Sequence, residues 1–187
     1  MPPMYGRLKE SLENCPIVNR NGYPYFVHPL TDGVPRMEPE VLEEVIDWML
    51  ENGDFSCDVI LAPESMGIPL AVPLSLKLRI PYSVVRKRSY GLDGEITLEQ
   101  KTGYSKSVMT VNGITEGMRV TVVDDVVSTG GTLDALIHAL REAGAIVVDV
   151  LVPVNKSNGT EVVLENTGIR IKTMVSVRVE NGRVVVN

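Results

Sequence analysis

Two aspartates, Asp124 and Asp125, end an apolar run that begins at Val120, and after Val126 and Val127 comes Ser128-Thr129-Gly130-Gly131-Thr132, leading into an apolar helical pattern. Ionised carboxylates accept hydrogen bonds and donate none, so the vicinal hydroxyls of a ribose are natural partners for the pair. Glycines let backbone N–H groups approach an anion closely, and a helix start favours negative charge by roughly 0.3–1 kcal/mol from its dipole. The hydroxyls of Ser128, Thr129 and Thr132 add donors. Together these groups suit a ligand of the ribose 5-phosphate class. The turn is not a Walker A loop, because no Gly-Lys-Ser/Thr is present. The same residues also suit a simpler arrangement, a capped helix after a strand with Asp124 and Asp125 in a solvated turn.

A second cluster is basic. Arg86, Lys87 and Arg88 are consecutive, with Lys101 and Lys106 a short distance on, in a chain of formal net charge −6. Such a cluster is either a solvated face or the seat of a small anion. The overall charge disfavours non-specific nucleic-acid binding. At 187 residues, 44% hydrophobic and 22% charged, the chain fits one globular domain. No apolar stretch approaches the roughly 20 residues of a membrane helix. The start, MPPMYGRLKESLENC, has no apolar core of a signal peptide. Cys15 and Cys57 form no CxxC, so a reducing cytoplasm is expected.

These residues need elements to hold them. Apolar periodicity predicts helices over 39–52, 66–78 and 130–143, and strands over 57–62, 82–86, 119–125 and 145–154. The first helix places Leu42, Val45, Ile46, Met49 and Leu50 on one face, and the last places Leu133, Leu136, Ile137 and Leu140. Strands apolar on both faces, alternating with helices, imply an α/β fold with an open, mainly parallel twisted sheet covered on both sides. Residues 1–38 and 155–187 fall outside the alternation and are expected to form a cap over the C-terminal edge of the sheet, where such sheets bind ligands. Residues 87–107 fit no helix; EITLE suggests at most a small ribbon, and Gly91, Gly94 and Gly103 would let the segment hinge as a lid.

VVDDVVSTGGT resembles the phosphoribosyl pyrophosphate (PRPP) signature of type I phosphoribosyltransferases. APESMG (62–67) resembles their pyrophosphate loop, which implies backbone contacts from Ser65, Met66 and Gly67 to the diphosphate. VVRKRSYG (84–91) resembles the opening of their catalytic loop, with Arg86 and Lys87 as its basic pair, and TGYSKS (102–107) resembles its close, with Tyr104 and Lys106. YFVHPLTDGVPRMEPEVLEEVIDWM (25–49) is similar to the N-terminal purine-binding region of the adenine enzymes. As a whole the chain looks closest to the archaeal hypoxanthine/guanine phosphoribosyltransferases, which share that adenine-type framework.

The resemblance implies an enzyme of purine salvage that uses PRPP and a purine base. Lys87, Asp124 and Asp125 would be its catalytic residues and Ser128–Thr132 its 5-phosphate site. It further implies Mg²⁺ carried by PRPP, with no direct protein ligand beyond a contact of Glu64 through water, and a homodimer. Adenine as the base and a non-enzymatic PRPP sensor of the same fold are the alternatives. Three departures stand out. Ser128 replaces the third acid of familiar 6-oxopurine enzymes, Gly103 stands where adenine enzymes carry a Glu, and no Lys follows the basic pair near Ser89 and Tyr90, as orotate enzymes require. A missing GxGxxG argues against a general dinucleotide binder. The proton of the base is left to a backbone or water contact or to Glu99. His28 suits a structural hydrogen bond or a base contact. Lys156 suits an exposed strand end or, by resemblance, a reader of the base oxygen. His138 is expected in solvent, and Trp48 in the core or at a dimer contact.

Overall fold

The computed structural model describes residues 5–102 and 105–187. In chain order its elements are α1 (Gly6–Glu13), β1 (Ile17–Arg20), β2 (Tyr23–Phe26), α2 (Pro29–Asp32), α3 (Pro39–Asn52), β3 (Val59–Pro63), α4 (Ile68–Leu78), β4 (Tyr82–Val85), β5 (Ile96–Thr102), β6 (Ser105–Val111), β7 (Arg119–Val123), β8 (Val126–Val127), α5 (Gly131–Glu142), β9 (Ile146–Leu151), β10 (Val154–Asn155), α6 (Gly159–Thr167), β11 (Val175–Glu180) and β12 (Arg183–Val186).

The main sheet has the order β4-β3-β7-β9, all parallel. Its central strands β3 and β7 are buried on both faces, which is why they read as continuous apolar runs. In β3, Val59 and Leu61 join the core of Leu133, Leu136, Ile137 and Leu140 from α5, while Ile60 and Ala62 join that of Val45, Ile46 and Met49 from α3 and Leu70 and Leu74 from α4. Trp48 is in the core, whereas Leu42 and Leu50 are only partly covered. Helix α4 runs through Pro73; the ring costs one ladder bond but leaves an apolar helix packed on the sheet.

One charge lies inside this sheet. The register of β7 against β9 shifts between Val120 and Thr121, which pair with Val147 and Asp149. Asp149 is 6% exposed. Its Oδ2 accepts from the Asp54 N–H (2.8 Å) and from Lys172 Nζ (2.6 Å), and its Oδ1 from the Val150 N–H (2.9 Å). Lys172 also donates to the Asn52 carbonyl (2.8 Å). With this many donors the buried carboxylate is fully satisfied, and it ties the α3–β3 connection to the chain beyond β10.

Two predicted strands are each divided in two. The strand expected over 119–125 ends at Val123 and resumes as β8; the one expected over 145–154 ends at Leu151 and resumes as β10. Pro153 has no N–H and cannot continue the ladder; its carbonyl instead accepts from Met174 and Val175 (3.0 and 2.9 Å). The resumed strands pair in parallel, Val126 with Val154 and Val127 with Asn155. They form a second sheet, β8-β10-β11-β12, in which β11 and β12 are an antiparallel hairpin. Asp124 and Asp125 occupy the joint between the sheets: the Asp124 N–H donates to Leu151 O (3.1 Å) and the Val154 N–H to Asp125 O (3.3 Å).

Around this joint, Leu8, Leu12, Phe26 and Leu30 from the first 38 residues share a core with Val175, Val177, Val184 and Val186. Strands β5 (Ile96–Thr102) and β6 (Ser105–Val111) pair as an antiparallel ribbon, longer than EITLE suggested. Its base is anchored, because Leu98, Met109 and Val111 are buried with α5, and Arg86 and Thr110 exchange backbone hydrogen bonds of 2.9 and 2.7 Å.

Removing the cation from the Asp149 network leaves a buried charge with backbone donors only. Lys172→Met should therefore destabilise the protein by about 2 kcal/mol, read from the denaturant midpoint. Unchanged stability would mean that the N–H groups of Asp54 and Val150 suffice for Asp149.

Candidate active site

At the joint, Asp125 is 7% exposed and Asp124 is half-buried. The Asp125 N–H donates to Asp124 Oδ1 (2.9 Å). Burial raises the Asp125 carboxyl to about 6, against hydrogen bonds that lower it. Burial and then repulsion from Asp125 raise Asp124 well above the usual carboxylate range, with Lys87 acting in the opposite sense. The solvated turn that the residues also allowed is thus not what the fold builds. The arrangement is an acid pair short of positive partners, open to hydroxyl donors or to a cation.

Residues 128–132 follow directly. Gly130 has φ +81° and begins α5. A Cβ there would lie 2.6 Å from Gly159 O, and a Cβ on Gly159 would lie 2.4 Å from Ser128 O and 2.6 Å from the Gly130 nitrogen. The loop is thus clamped on the start of α6, and only glycines permit that approach. Ser128 and Thr129 remain exposed, and an open depression is lined by Asp124, Val126, Val127 and residues 128–133. The sequence reading missed Gly159. Its signal, a helix start after Asn158, has no meaning until α6 is seen against the loop.

Ser65, Met66 and Gly67 form the turn between β3 and α4, and the Glu64–Ser65 peptide is cis. A Cβ on Gly67 would meet Pro63 O at 2.7 Å, Val123 O at 3.1 Å and Asp124 Oδ1 at 3.2 Å, so the turn lies against the acid pair. Arg86 and Lys87 leave the end of β4 beside it. Glu64 Oε1 accepts from the Lys87 N–H (2.5 Å), and Oε2 is 3.2 Å from Arg86 Nη1. Arg86 Nε is buried without a hydrogen-bond partner, and the Lys87 side chain is exposed. Glu64 therefore engages the root of the ribbon in this structure. Lys106 falls in β6, in register with Lys101, and Glu99 is exposed on β5. Tyr104 lies outside the described residues.

Lys156 is not the exposed strand end that its position suggested. It is half-buried, with Nζ 4.8 Å from the ring centroid of Tyr25 and 4.6 Å from that of Phe26. The chain folds it inward because the Lys156 N–H donates to Val127 O (2.9 Å), continuing the pairing of β10 with β8. His28 is 1% exposed and caps α2: Nδ1 accepts from the Leu30 N–H (3.1 Å) and Nε2 is 2.8 Å from Ser11 Oγ. Burial lowers its pKa to about 4, so it is a neutral structural group. Gly33 beyond α2 reaches the turn of residues 65–67, where a Cβ would lie 3.2 Å from Met66 Sδ. His138 is solvated, 3.8 Å from Asp134.

Around the acid pair the fold thus places the hydroxyl- and glycine-rich loop, the 65–67 turn against Asp124, and Lys87 and Lys156 close enough to act on its charge. The family model for the phosphoribosyl transferase domain matches residues 38–179. A hypoxanthine/guanine phosphoribosyltransferase of Methanocaldococcus infernus is 51% identical over 96% of this chain and 99% of its own. One of Methanohalophilus mahii is 51% identical over 92% of this chain and 90% of its own. Among solved structures, the adenine phosphoribosyltransferase of Thermoanaerobacter pseudethanolicus superposes with a TM-score of 0.75 at 22% identity, over 90% of this chain and 99% of that one. At that identity the likeness concerns the fold.

The raised carboxyl at the joint has a consequence for stability. A folded pKa above the unfolded value means that the folded state holds the proton more tightly, so the contribution is present below about pH 4 and is lost as pH rises through about 6. The melting temperature of the ligand-free protein, taken relative to Asp125→Asn, should fall by roughly 5 °C between pH 4 and 7. A difference that stays flat across this range would show that the carboxyl titrates normally.

Proposed function

The chain belongs to the phosphoribosyltransferase family, and we propose that it transfers the 5-phosphoribosyl group of PRPP to hypoxanthine or guanine, giving IMP or GMP and pyrophosphate. The observation that carries this reading is identity near 50% along almost the whole chain with enzymes named for those bases. Lys156 supports it chemically. An ammonium donates hydrogen bonds and accepts none, so it suits the carbonyl at the 6-position of hypoxanthine and guanine and opposes the amino group of adenine. The adenine-type framework shared with solved structures is a matter of fold.

The roles proposed for the site follow from its geometry. Ser128–Thr132 receive the 5-phosphate at the start of α5. Asp124 and Asp125 accept from the ribose hydroxyls, which supply the donors that the buried pair requires. Backbone groups of Ser65, Met66 and Gly67 face the diphosphate, with Arg86 and Lys87 beside them. As the bond from C1 to the diphosphate oxygen breaks, positive charge grows on the sugar ring and negative charge on the leaving group. The new bond forms from C1 to the purine nitrogen, which gives up its proton. Lys87, exposed at the root of the ribbon and electrostatically coupled to Asp124, meets the leaving-group charge. The ribbon of β5 and β6, which carries Lys106, serves as the lid that excludes water.

Mg²⁺ is part of the proposal. No cluster of three or more metal-ligating side chains occurs among the described residues, and the acid pair fits an ion that arrives on PRPP, with Glu64 in the β3–α4 turn that lies against Asp124. When bound, the ion neutralises the diphosphate. Residence in the cytoplasm and a homodimer complete the reading. For the first, no helix among the described residues is long and apolar enough to cross a membrane. For the second, exposed Leu76 and the depression lined by Leu42, Ile46 and Pro73 offer apolar surface to a second copy.

With Mg-PRPP fixed, hypoxanthine and guanine should exceed adenine by at least roughly tenfold in kcat/KM, because a base of the wrong pattern leaves a buried donor unpaired at about 1–3 kcal/mol. Adenine turned over as fast as hypoxanthine would defeat the assignment of the base and leave the family intact. Lys87→Ala should lower kcat by roughly a hundredfold while changing the PRPP KM little, since its charge matters most as the diphosphate departs. A loss confined to KM would make Lys87 a substrate anchor.

A further inference from the structure

Asp32 has no part in the roles above, yet it is held by several hydrogen bonds and its charge reaches Asp125 and Lys156. It closes α2, and its Oδ1 accepts from the Tyr25 hydroxyl at 2.5 Å. Its Oδ2 accepts from the His28 N–H (3.0 Å) and from Thr31 Oγ1 (2.8 Å). Burial alone would raise its pKa, but these hydrogen bonds and the charge of Lys156 outweigh burial and hold it below the usual value. Asp32 is therefore a fixed, ionised acid. The ring whose hydroxyl it grips is the ring over which Lys156 sits.

We infer that Asp32 is a positioning residue for base recognition: by holding Tyr25 in place and facing Lys156 with a permanent negative charge, it keeps that ammonium set as the donor to the 6-position of the purine. The inference rests on the reading of Lys156 given above. Two aromatic faces attract an ammonium only weakly and do not prevent its losing a proton when water is excluded. Burial already lowers the Lys156 pKa, and the opposing influences come from Asp32 and Asp125. Of these two acids, Asp125 is committed to the ribose once PRPP is bound. Asp32 is then the one left to balance Lys156. The other groups around the ammonium do not replace it. Tyr25 is held neutral, its pKa raised to about 12 by burial and by Asp32. Arg20 lies over the Tyr25 ring at 4.3 Å and adds a like charge. Arg178 and Asn187 line the depression beside Lys156, and Arg178 is paired with Glu180 at 2.5 Å.

The test compares hypoxanthine kcat/KM across pH in the full-length enzyme and four variants, at saturating Mg-PRPP, so that titration of the base itself is common to all. Asp32→Asn should leave the PRPP KM unchanged, lose at least roughly tenfold in hypoxanthine kcat/KM, and move the alkaline limb of the profile to lower pH. Asp32→Glu, which retains the charge, and Tyr25→Phe, which retains the acid, should keep the wild-type limb even where the rate falls. An Asp32→Asn enzyme with the wild-type limb would overturn the inference, and so would equal losses for PRPP and hypoxanthine, which mark a general structural role. Should Asp32→Asn fail to fold, an Asp32→Glu limb displaced to lower pH is the overturning result. Lys156→Met separates the two readings. If it uses hypoxanthine as well as the wild type does, the base reading itself fails. If it loses hypoxanthine while Asp32→Asn keeps the wild-type profile, only the role of Asp32 falls.

Discussion

Two adjacent carboxylates cannot both lose water and keep their charges without partners. In this fold Asp124 and Asp125 are placed where two parallel strands leave one sheet and enter another, so their backbone groups are occupied by Leu151 and Val154 and their side chains are left facing the concavity. Asp125 is nearly enclosed, and its carboxyl is raised to about 6 as a result. The groups that could relieve such a pair are hydroxyl donors or a cation.

The remaining charges are distributed with the same economy. A chain of net charge −6 keeps Arg86, Lys87 and Lys156 around the acid pair. Arg86 and the Lys87 backbone are engaged by Glu64, and Lys156 is balanced by Asp32. Arg86 thus has an internal acid in Glu64 and Lys156 feels that of Asp32, while the Lys87 ammonium is exposed. Close backbone packing shapes the two turns beside the pair. Gly130 and Gly159 bring the 128–132 loop onto α6, and Gly67 brings the 65–67 turn onto Asp124. These contacts fix where N–H groups lie before any ligand arrives, the preorganisation on which electrostatic catalysis depends.

Local pattern was a good guide wherever one element decides its own form. The spans of α3 and α5 and the strands around β3, β4 and β7 followed from period and from glycine and proline at their ends. The motif at 124–132 declared its chemistry because hydroxyls, glycines and acids are stated outright by the residues. Reading failed where partners decide. Nothing local in AIVVDVLVPV says that Leu151 is the last residue of one sheet and Val154 the first of another; that follows from Pro153 and from the arrival of β11. The strand after 105 was missed because SKSVMTV alternates weakly, and its burial comes from α5.

The residues by themselves determined the fold class, the family resemblance and the chemistry of the ribose and phosphate groups, since apolar periodicity and a contiguous motif are properties of neighbours along the chain. Tertiary structure alone decided the rest. It turned Lys156 from a strand-end lysine into an ammonium above Tyr25 and Phe26, turned His28 into a neutral cap, gave Gly159 its necessity, and set Asp32 opposite Lys156. The physical reason is that burial, counter-charge and close approach depend on residues far apart in the chain. Asp32 and Lys156 are separated by the whole main sheet in sequence, and the charge of one reaches the other only because the first 38 residues share a core with β10 to β12.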